Sequence, residues 1–106
     1  MITDDRLQKA LTFLTDTDEK AAELKVEVER AAYLLKAMKS AIIIREDGAM
    51  ELRKAVAEKD ALTANKTGAW LETLRMYEAL TNKRKTEVLI VDVWRSLNAN
   101  RRVGNV

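Results

Sequence analysis

The stretch DDRLQKALTFLTDTDEKAAELKVEVERAAYLLKAMKSAIIIR, residues 4–45, decides the fold. Within it Leu7, Ala10, Leu14, Thr17, Ala21, Leu24, Val28, Ala31, Leu35, Met38 and Ile42 follow one another at spacings of three and four, and ten of these eleven are apolar. A helix carries such a stripe when one face packs on a partner helix. Thr3 can cap its start, and Asp4 and Asp5 sit in the first turn against the positive end of the dipole. Asp16 and Glu19 have capping-box spacing and offer an alternative start for a new helix. The heptad phase passes through them unchanged, and a loop would usually reset it, so one helix over 4–45 is the expectation. At 1.5 Å per residue such a helix is roughly 60 Å long, which suits an elongated molecule rather than a compact globule.

Working outward, the first break is Arg45-Glu46-Asp47-Gly48, where the glycine suits a helix end or a tight turn. A short helix is expected over 49–61, with Leu52 and Val56 on one face. Thr63 to Gly68 is the second weak region, and Asn65 or Thr67 can cap a last helix over 68–98. Its apolar stripe reads Trp70, Leu74, Tyr77, Thr81, Val88 and Val91, interrupted by the wholly polar Thr81 to Glu87. Ala41 to Ile44 and Val88 to Val91 are β-branched patches, but their flanks are helical and no second strand exists to pair with them. Residues 99–106 read as a frayed tail. The expected fold is all-α: a long antiparallel helical hairpin or coiled coil with a short middle helix, in one domain. Leu24, Val28, Leu35, Met38, Ile42, Leu74, Tyr77, Val88 and Val91 are the expected packing residues. The core of such an arrangement is thin, so a homo-oligomer or another partner is expected. A parallel dimeric coiled coil satisfies the heptads almost as well as the hairpin; the turn signal at Gly48 favours the hairpin.

Composition removes several kinds of chemistry. The 106 residues include no cysteine, histidine or proline and three glycines. Disulfides, thiolate metal sites and cysteine nucleophiles are excluded, and the commonest general base and zinc ligand are missing. No phosphate-binding glycine loop is present. Glu23 and Glu27 share a helix face, but carboxylate metal sites in bundles usually add Glu-x-x-His motifs, so the pair reads as a solvated face. Ser40 near Lys36 and Lys39 lacks the pocket that Ser–Lys chemistry needs. The reading is a protein that is not an enzyme, with no metal and no cofactor. No run reaches the roughly 18 apolar residues of a membrane span, and the acidic start does not resemble a signal peptide, so a cytoplasmic protein is expected.

The net charge of +2 is unevenly spread. Residues 1–52 hold eight basic and eleven acidic side chains, whereas residues 53–106 hold eleven basic and six acidic. Lys83, Arg84 and Lys85, then Trp94, Arg95, Asn98, Arg101 and Arg102, form the candidate nucleic-acid surface. Cations neutralise phosphates, and tryptophan stacks on unpaired bases, so single-stranded DNA is the favoured ligand. The opposing structural reading is that these cations answer the helix dipole or pair with acidic residues of the first helix such as Glu23, Glu27 and Glu29, with Trp94 in the core.

The segment Glu87 to Arg102 (EVLIVDVWRSLNANRR) resembles the end of a group of small helical proteins encoded by bacteriophages. Leu7 to Thr12 and Thr17 to Glu19 are similar to the same group, so the likeness extends over most of the chain. Gly48-Ala49-Met50-Glu51 departs from the valine-alanine-glutamate helix start that the group leads one to expect. The resemblance implies an accessory protein encoded beside phage recombination and replication functions, acting in the bacterial host cytoplasm. It implies no catalytic residue. The alternative function is a protein–protein adaptor or inhibitor that uses the heptad faces to hold a phage or host DNA-metabolism protein.

Overall fold

The computed structural model describes residues 1–104, with side chains to residue 102. The described chain is all-α: α1 spans Asp4–Arg45, α2 spans Met50–Lys59 and α3 spans Ala61–Gly104. There is no strand among the described residues.

Helix α1 runs unbroken through Asp16 and Glu19. Thr3 caps it, its Oγ1 accepting from the Arg6 amide at 3.1 Å. The turn after α1 rests on Gly48, whose φ of +104° is a conformation L side chains rarely adopt. The next junction is at Asp60, ahead of the Thr63–Gly68 region expected from the sequence. Asp60 is extended, and its Oδ1 accepts from the Leu62 amide at 2.8 Å, which opens α3. Gly68 lies inside the helix and meets no neighbour that a Cβ would disturb, so it costs helix propensity without forcing a break. Residues 99–104, expected to fray, continue α3; residues 105–106 lie outside the described residues.

The internal contacts fall into two compact units: Met1–Ala22 with the chain from Glu78 onward, and Glu23–Tyr77. In the first unit α1 and α3 run antiparallel, since Arg6 meets Glu87 while Thr17, further along α1, meets Arg84. Every residue of the α1 stripe from Leu7 to Ala21 is turned from solvent, and Ala10 is fully enclosed. On α3 the matching face is Thr81, Arg84, Glu87, Val91, Trp94 and Asn98. Val88, expected in the stripe, is 45% exposed. The spacing tightens to three and three across Thr81, Arg84 and Glu87, which brings Glu87 inward and turns Val88 out.

In the second unit the later part of α1, α2 and the start of α3 pack together. Leu24, Ile42 and Ala57 are buried, while Val28, Leu35, Met38, Leu74 and Tyr77 are half-buried as expected. Two links tie α1 to α2: the Arg53 Nε donates to the Ile43 carbonyl at 2.8 Å, and Lys39 pairs with Glu58 at 2.9 Å. Arg53 thereby satisfies one of the carbonyls that α1 leaves open at its C-terminus. Thr63, on the first turn of α3, is only 2% exposed, and its Oγ1 finds no hydrogen-bond partner.

A buried hydroxyl without a partner is destabilising by about 1–3 kcal/mol relative to a group of the same shape that needs none. Thr63→Val should therefore raise the urea midpoint, whereas Leu24→Ala should lower stability by about 2–5 kcal/mol. A fall in midpoint for Thr63→Val would show that the hydroxyl is engaged.

Candidate nucleic-acid interface

The basic triplet does not form one surface. Successive helical residues point about 100° apart. Lys83 and Lys85 are exposed, while Arg84 turns into the seam and reaches α1. Its Nη1 donates to the Leu14 carbonyl at 2.8 Å and to Thr17 Oγ1 at 2.7 Å, and its Nη2 meets Asp18 at 3.1 Å. Thr17 in turn donates to the Phe13 carbonyl at 2.7 Å. The guanidinium fork is thus committed to a turn of α1, a role for which its five fixed donors suit it. Arg84 is structural here rather than part of a cation track, and its carboxylate partner is Asp18 rather than Glu23, Glu27 or Glu29.

A second polar link lies beside it. Arg6 Nη2 donates to Glu87 Oε1 at 2.7 Å, and Glu87 Oε2 is enclosed without a partner. The hydrogen bond from Arg6 is the main reason that the Glu87 carboxyl titrates below its ordinary value; burial opposes the shift and the Arg6 charge assists it. Glu87 falls in the polar interruption of the α3 stripe, yet it stands at seam spacing from Arg84 and Val91.

The remaining candidates gather near the end of α3. A groove of about 200 Å³ is lined by Met1, Ile2, Asp4, Trp94, Leu97, Asn98 and Arg101. Trp94 is half-buried and lines this groove. Arg101 and Asn98 share the groove with it, and so does the carboxylate of Asp4. Arg95 and Arg102 are exposed outside it, seven residues apart on one flank of α3. Arg95 approaches Asp92 at 3.9 Å. Such exposed pairs contribute at most about 1 kcal/mol, which leaves Arg95 free to exchange partners.

The charge asymmetry of the linear chain disappears on folding. The first unit holds nine basic and eight acidic residues, and the second holds ten and nine. Each is therefore +1, because the antiparallel fold sets the acidic half beside the basic half. Among the described residues no group of three or more carboxylates is placed to hold a metal ion, and no helix is long and apolar enough to cross a membrane. No protein-family model matches the chain, and neither a curated protein nor a solved structure matches it.

Because the folded Glu87 carboxyl titrates below its ordinary 4.5, its pairing with Arg6 stabilises the fold above that value and is lost as pH falls through the depressed one. Wild type should be more stable than Glu87→Gln near about pH 7, and the difference should shrink toward about pH 3, read from urea midpoints. An unchanged difference across that range would mean that the pair does not hold the carboxylate charged.

Proposed function

We propose that the chain is a non-enzymatic helical interaction protein that binds another protein through apolar faces its own helices leave in solvent. The observation that supports this is the imbalance of burial. Among the described residues the buried apolar side chains are Ala10, Leu24, Ile42 and Ala57. Sixteen large apolar side chains are exposed, including Leu89 at 61% and Leu52 at 60%. Single exposed apolar residues are ordinary, but series along a helix mark association surfaces. In the first unit Leu89, Val93 and Leu97 form such a series on α3. In the second, Leu52 and Val56 line an open groove of about 370 Å³ on α2. The resemblance of residues 87–102 to bacteriophage proteins supplies the setting: a partner among the DNA-metabolism proteins of the phage or its bacterial host, met in the cytoplasm.

A second reading rests on the groove at the end of α3. Trp94, Asn98 and Arg101 share it, which provides a ring for stacking, an amide for a base edge and a cation for a phosphate. Against it stand the carboxylate of Asp4 in the same groove, the commitment of Arg84 to α1, and the balanced charge of the unit.

One set of variants separates the two readings. Leu89→Glu and Leu52→Glu should abolish complexes with host or phage proteins while leaving helix content by circular dichroism intact. Arg101→Glu with Arg102→Glu should leave those complexes unchanged. The nucleic-acid reading replaces the first if labelled single-stranded DNA binds at micromolar concentration, binding falls steeply with salt, and only the arginine reversals weaken it.

A further inference from the structure

Helix α1 carries a second heptad on the side away from its seam. Val26, Arg30, Tyr33, Ala37, Ser40 and Ile44 follow at spacings of four, three, four, three and four, and every one is exposed. Tyr33 is 71% exposed and Ile44 79%. At 1.5 Å per residue the stripe is about 27 Å long. Four of the six, Val26, Tyr33, Ala37 and Ile44, are apolar, and a second stripe at coiled-coil spacing fits a second helix.

The charges beside the stripe identify that helix. Glu29 and Lys36 are both exposed, lie seven residues apart on one flank of the stripe, and form no ion pair among the described residues. In an antiparallel pair related by a two-fold axis, like flanks meet. Placing that axis near Tyr33 sets Glu29 of each copy against Lys36 of the other, and Val26 of each near Ala37 and Ser40 of the other. Arg30 of each copy then falls near the Tyr33 ring of the other, a cation–π geometry. A parallel pair joins opposite flanks, and there Glu29 meets Leu34 and Lys36 meets Ala41, with no complementary charge. We infer that the outer face of α1, from Val26 to Ser40, binds a second copy of this chain as an antiparallel two-helix contact, with Tyr33 near the two-fold axis and reciprocal Glu29–Lys36 ion pairs fixing the register.

This inference rests on the reading of the chain as an association protein and names one partner for it. The absence of cysteine makes it directly testable with the 106-residue chain. Wild type should sediment with a mass of about 24 kDa, twice the 12.0 kDa chain, at tens of micromolar. Tyr33→Cys should oxidise to a disulfide-linked dimer, and Leu89→Cys, on α3, should cross-link far less. Glu29→Lys alone and Lys36→Glu alone should each weaken the dimer about tenfold or more, and the double exchange should restore it. A monomer at these concentrations overturns the inference, as does a dimer that cross-links through residue 89 instead of 33. So does a double exchange no better than the single ones. If the dimer is absent while complexes sensitive to Leu89→Glu or Leu52→Glu persist, the inference fails and the association reading stands.

Discussion

The contact between α1 and α3 is made by about two residues per heptad of each helix, and that width limits the rest of the molecule. A seam so narrow encloses few side chains completely. It is built from small and medium residues on α1, and in the first unit it is interrupted on α3 by Thr81, Arg84 and Glu87. Polar groups at such positions are costly unless they are paired. Arg84 meets that condition through two hydrogen bonds and an ion pair onto one turn of α1, and Glu87 meets it through Arg6 at one carboxylate oxygen only. These links are directional where apolar packing is not, so they specify which turn of α1 faces which turn of α3. A hydrophobic seam with a strict heptad repeat slides by whole heptads more readily than one carrying a half-buried fork.

The same narrowness explains what lies outside. Side chains with no place in the seam remain in water, and they fall in series because helices repeat. The outer stripe of α1, the Leu89 series on α3 and the groove on α2 are the three surfaces that result. Charge does little to compete with them. The acidic and basic residues are divided so that each unit carries a net charge of only +1. The association surface we propose therefore lies on the apolar residues of the last helix rather than on its cations, with Trp94 and Arg101 lining one groove.

Much of the fold was legible. The heptads of residues 7–42 have one consistent phase, and the structure keeps all eleven positions from solvent along one helix. Gly48 marked the first turn because its conformation needs a residue without a Cβ. The second junction was misplaced because glycine and threonine near 63–68 are weak helix formers that still sit in a helix when tertiary contacts favour it. The effective signal was Asp60, a single capping residue in a charged stretch. Val88 was misjudged for a related reason. The stripe on α3 shifts phase where its residues are polar, and hydropathy does not register an arginine and a glutamate as packing residues. The candidate site was legible in part: Trp94, Asn98 and Arg101 do come together, but composition does not reveal that Arg84 faces inward or that Asp4 joins the groove.

Arg84 holds the seam through Leu14, Thr17 and Asp18. Urea midpoints of Arg84→Met, Lys83→Met and Lys85→Met test this role. Arg84→Met should lose about 1–3 kcal/mol, as expected for half-buried charge-assisted hydrogen bonds, while the two lysine changes stay within about 0.5 kcal/mol of wild type. Equal stability for all three variants would contradict it and return Arg84 to the surface.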